Sequence, residues 1–454
     1  MPTSLRFHRP SFPKDRTRVT TSYFGATIEN RFRLYVLLRA GFASSADLTR
    51  YDSCTIHISR RKGLPMTDTP ATSAARIISI ETSVPQHQYT QEQALAFMKA
   101  VPSYGNDERA FLDRIYPPSA IGCRYSTIAD FGRSPEEYDF FSRSADLLPE
   151  PLLEKRNAMY VEAAPRIASE AARKALDAAP GVDAQSVTHI VSASCTGFSA
   201  PGVDLAIQRS LGLPASTRRI HIGFMGCYAA VPALRTARDI LCADPAAVVL
   251  VVCVELCSLH FQLKPDREQM VANSLFADGA AAAVVVNPMR AGDGVETQTG
   301  AGAGFDLLDF ETALLDDSEQ DMAWTIGSIA FDMRLSAYVP KIVQKNIQPV
   351  LNTLLGRNRL TQDDLVRWAI HPGGRAVLER VSRGLGFDPP GLEDSYAVLN
   401  EYGNMSSPTI LFVLRKTMEA LRQNAQPGPV VAAAFGPGLT VESALMAYTE
   451  GTEH

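Results

Sequence analysis

Two stretches of this 454-residue chain are nearly unbroken runs of apolar residues, "AAVVLVVCVELCSLHF" over 246–261 and "PVVAAAFGPGLTVESALMAY" over 429–448. Continuous Val/Ala-rich runs predict strands covered on both faces, since a strand with one wet face alternates apolar and polar positions. Each run closes a series of elements that reads alike. "GVDAQSVTHIVSASCTGFSAPGVDLAIQRSLGL" (181–213) gives a polar lead, a strand, a Gly/Pro-containing loop and a helix, and "LTQDDLVRWAIHPGGRAVLERVSRGLGF" (360–387) gives the same order. Next comes a segment that passes through a polar loop into a long helix, "RIHIGFMGCYAAVPALRTARDIL" in one case and "YAVLNEYGNMSSPTILFVLRKTMEAL" in the other. Cys195 and Cys227 are 32 residues apart, His371 and Asn404 33. Two copies of one α/β unit are predicted, with an unduplicated α/β enzyme as the alternative, because alternating strands and helices also produce chance parallels.

Duplication brings the ends of corresponding strands together, so Cys227, His371 and Asn404 can converge although they are remote in sequence. "RRIHIGF" reads as a strand, and "YAAVPALRTARDIL", rich in Ala and Leu with charges at helical spacing, as a helix. Cys227 then stands at a helix N-terminus, where unpaired N–H groups and the macrodipole favour its thiolate. Gly223 and Gly226 permit a tight turn and close approach of a substrate. A single cysteine is more often a small buried hydrophobe, so its neighbours in space must decide.

His371 ends the strand "LVRWAI" and precedes "PGG", a turn that opens onto the helix "RAVLERVSRGLG". A neutral imidazole there accepts a thiol proton, although His221 and His260 compete for that role. Asn404 lies in "YGNMSSP", where Ser406, Ser407 and Pro408 read as an N-cap and first helical turn. An asparagine in that setting ordinarily serves the turn. Its carboxamide also donates hydrogen bonds without titrating, which suits the enolate formed as carbon dioxide leaves a malonyl thioester.

Composition widens this picture in two ways. Single cores stop growing at roughly 250–300 residues, so the chain exceeds one comfortable core. Apolar residues make up 46%, charged residues 20%, and the net charge is −5, an ordinary globular balance that does not suggest nucleic acid. The charge is uneven, with 12 bases against 4 acids in residues 1–65 and 32 against 45 in the remainder. This basic head reads as a transit-type leader, as a disordered tail, or as sequence upstream of a second start at Met66. Its apolar "LYVLL" falls far short of the roughly 20 residues that span a bilayer. Seven cysteines form no CxxC pair, and no secretory signal precedes them, so neither disulfides nor a metal site is expected.

Taken in order, "GFMGCYAA", "WAIHPGGRAVLERV", "YGNMSSPTILFVL" and "AAFGPGLTVESALM" resemble the four signatures of the chalcone and stilbene synthases, the type III polyketide synthases. The match spans roughly Arg76 to Tyr448. It implies a thiolase-like fold of two duplicated α/β halves in a layered αβαβα arrangement. Residues 66–290 would carry the nucleophile and 291–454 the catalytic histidine and asparagine. Cys227 is then the acyl-carrying nucleophile, His371 its partner, and His371 with Asn404 the pair that holds the enolate. Phe276, in "SLFADGAAAAVVV", matches the gatekeeping phenylalanine between the coenzyme A tunnel and the cavity, and Phe331, in "GSIAFDMRL", the second gatekeeper.

Cys195, Thr196, Cys257 and His260 match positions that line the cavity of the plant enzymes but differ there from the plant residues, which implies a bacterial-type specificity. The family's Gly-Phe-Gly-Pro-Gly loop is here Ala434, Phe435, Gly436, Pro437 and Gly438. Gly436, Pro437 and Gly438 are accordingly assigned to the substrate wall, and Ala434 must adopt negative φ. At the coenzyme A entrance the family's basic cluster is thin, reduced to Arg114 and Arg124.

The resemblance implies a cytoplasmic homodimer without cofactor or metal. Its substrates would be an acyl-CoA starter and malonyl-CoA, joined by repeated decarboxylative condensation and cyclised to a resorcinol, pyrone or phloroglucinol-type product. The nearest rival, β-ketoacyl-carrier-protein synthase III, follows its histidine with Gln-Ala-Asn, where this chain has Pro372, Gly373 and Gly374. A non-catalytic thiolase-fold partner is the reading from a different class, and retention of all three polar residues argues against it.

Overall fold

The computed structural model describes residues 75–289, 302–315, 318–386 and 391–451. The basic head, 1–65, and the alternative start at Met66 lie outside them. The strands are β1 (Arg76–Ser83), β2 (His87–Thr90), β3 (Cys123–Ser126), β4 (His189–Ser194), β5 (Arg218–Gly223), β6 (Val248–Leu256) and β7 (Asp278–Val286). There follow β8 (Gly304–Leu314), β9 (Met322–Ile326), β10 (Phe331–Leu335), β11 (Arg367–Ile370), β12 (Gly428–Gly436) and β13 (Thr440–Thr449). Nine of them form one ladder in the order β11-β12-β13-β8-β1-β7-β6-β4-β5, while β9–β10 and β2–β3 are separate two-stranded antiparallel pairs.

The ladder contains its own repeat. β4 runs parallel to β6, which is antiparallel to β7, itself antiparallel to β1. In the other half β11 runs parallel to β12, β12 antiparallel to β13, and β13 antiparallel to β8. Within the ladder the halves join where Arg76 and Ile77 pair with Asp306 and Phe305, a seam reinforced by the Arg76–Asp306 ion pair at 2.8 Å.

Alternation along the apolar strands shows why they carry no polar face. Val248, Leu250, Val252 and Val254 of β6 pack into an outer core with helix Leu153–Asp177, and Val249, Val251 and Cys253 into a central one. β12 does the same, sending Val430, Ala432 and Ala434 to the central core and Val431, Ala433 and Phe435 to a second outer core with helices Val339–Arg357 and Arg375–Leu385. Helices Ala230–Ala243 and Thr409–Gln423 fill the central core, shared by the strands of both halves. This gives five layers, αβαβα. The "TILFVL" run is apolar almost all round because its helix is covered by a sheet on each side.

Within the matched segments the copies differ at the element before the polar loop. The segment before the polar loop is strand β5 in one half and helix Glu393–Tyr402 in the other. "RIHI" sets β-branched residues at period two, whereas "YAVLNEY" is richer in helix formers.

Candidate active site

β5 ends at Gly223, and the chain turns through Phe224 (φ 62°) and Gly226 (φ 67°) into one 3-10 turn, Gly226–Tyr228, leading to helix Ala230–Ala243. Cys227 sits inside that turn. Gly226 is required there, because a Cβ would meet Pro437 at 2.6 Å as well as straining a left-handed φ. Gly223 is not required: a Cβ on it would meet nothing closer than 3.8 Å, and the left-handed position falls on Phe224 instead.

His371 follows β11, its backbone N–H donating to the Ala433 carbonyl of β12 at 2.8 Å. Asn404 is held beside Phe276 by two backbone bonds, Asn404 N–H to Leu275 O at 3.0 Å and Ala277 N–H to Asn404 O at 2.8 Å. The Asn404 side chain is oriented by two more, accepting from Ser406 N–H at 2.8 Å and donating to Gly373 O at 3.2 Å. The second amide N–H remains for the cavity. Cys227, His371 and Asn404 line one cavity of about 910 Å³. The Asn404 amide and the Ser406 hydroxyl both face the Cys227 sulfur, where they favour its thiolate.

The serines after Asn404 do not cap the next helix, which begins at Thr409 behind Pro408. Tertiary partners claim them. Ser406 takes a left-handed φ of 59° beside Cys227, and Ser407 Oγ donates to Glu255 Oε1 at 2.7 Å. Glu255 is fully buried and also accepts from the Cys195 and Thr196 N–H groups and the Thr196 hydroxyl.

Electrostatics alter the expected nucleophile. Burial pushes the Cys227 thiol up to about 11, with the Ser406 and Asn404 donors pulling the other way, so the thiol is raised rather than lowered. Burial alone pushes His371 down to about 3, and neither ring nitrogen has a hydrogen-bond partner. Neither group holds a charge here by itself. The competing histidines are occupied elsewhere: His221 Nδ1 lies 2.8 Å from Ser192 Oγ, and both nitrogens of His260 are bound.

Cys195, Thr196, Cys257, His260, Phe276, Phe331 and Pro437 all line the cavity. Gly436 and Gly438 do not, which corrects their assignment to the substrate wall. They shape the loop instead: a Cβ on Gly436 would meet the Tyr228 ring at 2.6 Å, and Gly438 has φ 74°. Ala434 replaces a family glycine without strain, being an extended residue of β12 opposite Glu442.

Arg124 also departs from expectation. It is fully buried, donating from Nη1 to the carbonyls of Asn273 (2.7 Å) and Phe276 (2.8 Å) with its guanidinium over the Tyr89 ring. It braces the Phe276 loop from behind and cannot meet a phosphate at the entrance. Arg114 does line the cavity, joined by Arg267 and Arg375, which sequence reading missed. All three are exposed, and Arg114 and Arg267 flank one ring, Phe111, at 5.8 and 5.2 Å. Arg267 and Arg375 are each the first residue of a helix, where the macrodipole disfavours a cation. That misplacement was the available signal. Trp324 and Met333 of the β9–β10 hairpin likewise join the wall, Trp324 stacking on Phe331 at 4.8 Å.

The histidines predict acid lability. His87, His189, His221, His260 and His371 are all held below the ordinary value, chiefly by burial, His260 at about 4. Unfolding returns each to about 6.5, so below that pH the unfolded chain binds more protons and stability falls with pH. Asp278, pushed up to about 6 by burial, and Glu255, also raised, act in the opposite sense. The shifts of His260 and His371, from 6.5 to about 4 and about 3, together exceed that of Asp278, from 3.8 to about 6, so the melting temperature should fall from pH 6.5 to 4 in a thermal-shift series.

Residues 66–288 match the family model of the N-terminal domain of the chalcone and stilbene synthases, and residues 308–449 that of the C-terminal domain. The chain is 33% identical over 376 residues to the "alpha-pyrone synthesis polyketide synthase-like Pks18" of Mycobacterium tuberculosis, covering 83% of this chain and 92% of that one. It is 29% identical over 380 residues to the 1,3,6,8-tetrahydroxynaphthalene synthase of Streptomyces peucetius, covering 82% and 92%. Among solved structures, PKS-I of the brown alga Ectocarpus siliculosus superposes with a TM-score of 0.76 at 32% identity, covering 84% of this chain and all of that one. The C-terminal type III polyketide synthase domain of Dictyostelium Steely1 gives 0.73 at 28%, covering 82% and 99%. With both domain models matched in sequence and the same fold in relatives of this similarity, the chain belongs to the chalcone and stilbene synthases, the type III polyketide synthases.

Proposed function

We propose that this cavity performs repeated decarboxylative Claisen condensation of malonyl-CoA onto an acyl group carried by Cys227, and then cyclisation. The observation that carries the reading is the joint lining of one cavity by Cys227, His371 and Asn404, drawn from both halves, 66–290 and 291–454. His371 takes the Cys227 proton as sulfur attacks the starter thioester, and that proton leaves with the departing coenzyme A thiol. In malonyl-CoA the bond to the carboxylate then breaks, and its electron pair becomes the enolate. The free N–H of Asn404 and an N–H of His371 hold the enolate oxygen. The enolate carbon attacks the acyl carbonyl on Cys227 and expels the sulfur, leaving a chain longer by two carbons. No cofactor beyond the thioesters enters this scheme.

The test is product mass from an acyl-CoA with labelled malonyl-CoA. Several extensions without carrier protein are expected, and a single β-ketoacyl product that requires carrier protein would sink the reading. The sequence His-Pro-Gly-Gly at 371–374 supports free coenzyme A as the carrier.

The phosphates of the thioester belong at Arg114, Arg267 and Arg375, whose forked donors match phosphate oxygens. The Arg114→Ala/Arg267→Ala double variant should raise KM for malonyl-CoA about tenfold or more. KM for malonyl-pantetheine, which lacks those phosphates, should not change.

A cytoplasmic homodimer is part of the proposal. β5 pairs with β4 on one side only, Ile220 is 39% exposed and Phe224 58% exposed. A bare edge beside exposed apolar side chains suits pairing with a second copy. Sedimentation should give the mass of two chains, and Ile220→Lys should shift it toward one. No helix of the described residues is long and apolar enough to cross a membrane.

A further inference from the structure

Helix Arg267–Leu275 carries Phe276 at its C-terminal end, and the last carbonyls of a helix have no partner within it. Here each finds one from a distant segment. The Ser274 carbonyl accepts from Gln91 Nε2 at 2.8 Å, and the Leu275 carbonyl from Asn404 N–H at 3.0 Å. Ala277 N–H, which would otherwise close a further helical turn on Asn273, donates to the Asn404 carbonyl at 2.8 Å. That leaves the carbonyls of Asn273 and Phe276, and Arg124 Nη1 donates to both, at 2.7 and 2.8 Å.

A guanidinium is costly to bury, and Arg156, the other arginine with no exposed surface, lies 3.6 Å from Glu150. No carboxylate pairs with Arg124 among the described residues. Its cation is held by the negative end of the helix dipole and by the faces of the Tyr89 and Phe261 rings, at 5.1 and 5.8 Å.

The same group stands one peptide unit from Asn404. The peptide whose carbonyl it holds, between Phe276 and Ala277, gives its N–H to the Asn404 carbonyl. The Arg124 stem also lies against Gly403, where a Cβ would meet Cγ at 2.9 Å and Cδ at 3.0 Å. Ser406 and Gly373 set the rotation of the Asn404 carboxamide, and Arg124 sets where the backbone that bears it stands.

We propose that Arg124 is a positioning residue for extension: absent from the cavity wall, it holds the Asn404 carboxamide in place opposite Cys227. The inference rests on the synthase reading above and gives Arg124 a part in condensation, with none in coenzyme A binding or in loading.

The test reads the two half-reactions separately, using the full chain and the straight-chain acyl-CoA, acetyl to lauroyl, that loads the wild-type protein fastest. Loading is followed by intact-protein mass, and extension by labelled malonyl-CoA per acyl-enzyme formed, so unfolded molecules are not counted. Arg124→Gln, too short to reach either carbonyl, should load within about twofold of wild type but extend about tenfold or more slowly, as a displaced catalytic group requires. The loss should lie in kcat and be the same with malonyl-CoA and malonyl-pantetheine. In the Asn404→Ala background the same change should cost less than about threefold, because the group it positions is gone. A smaller loss of extension, a loss of loading in step with it, a loss confined to KM for malonyl-CoA, or a larger loss beside Asn404→Ala overturns the inference. If Arg124→Gln gives no acyl-enzyme, Arg124→Lys, which keeps a cation at the helix end, is read against the same outcomes, and failure of both to load overturns the inference. A wild-type chain that extends no starter sinks the synthase reading and the inference with it, whereas an extending wild type beside an unaffected variant sinks the inference alone.

Discussion

Cys227→Ala should lower polyketide formation by ~10⁴-fold or more while leaving the fold intact. The variant removes only a sulfur that lines an open cavity, and no described residue depends on it for a structural bond. Loading disappears because no other thiol can replace it. Cys195 and Cys257 are both fully desolvated, and their thiols are raised well above the ordinary value. The same variant should still release carbon dioxide from malonyl-CoA, since His371 and Asn404 remain. Radiolabelled malonyl-CoA separates the two steps. Unchanged product would show that the reaction uses another nucleophile, and loss of carbon dioxide release together with product would show that the three residues do not divide the work as proposed.

Asn404→Ala should have the complementary effect. Loading of Cys227 continues, but extension falls by about 10²–10³-fold, the usual loss when one donor to a developing oxyanion is removed. The carboxamide also accepts from Ser406 N–H, so the alanine variant frees a residue held at φ 59° beside the sulfur. Asn404→Asp keeps that acceptor and loses the donor, so it distinguishes lost oxyanion stabilisation from a relaxed loop. If Asp restored extension, the amide N–H would not be the catalytic feature. Acyl-enzyme measured by mass, beside product measured by label, reads both steps from one reaction.

Much of this was legible in the chain. The paired Val/Ala runs foretold strands covered on both faces, and the matched spacings foretold two copies whose strand order and direction do repeat. The reading failed where partners from distant segments took over local signals. Ser406 and Ser407 have the composition of a helix cap, yet the Cys227 sulfur and the buried Glu255 claim them. Arg124 sits in a motif associated with phosphate binding, yet it points inward because the carbonyls of Asn273 and Phe276 need a donor there. Glu255 itself reads as one polar residue at the end of an apolar strand, and nothing local announces its bonds to two distant segments.

Sequence by itself determined the periodicity, the duplication and the four motifs, since hydrophobic pattern and turn chemistry act over a few neighbouring residues and survive as text. The tertiary structure alone decided which side chains are desolvated and what each one meets. That includes a Cys227 thiol raised rather than lowered and a rim built from Arg114, Arg267 and Arg375. Those properties depend on distance and dielectric between residues far apart along the chain, and they exist only after the layers have closed around the cavity.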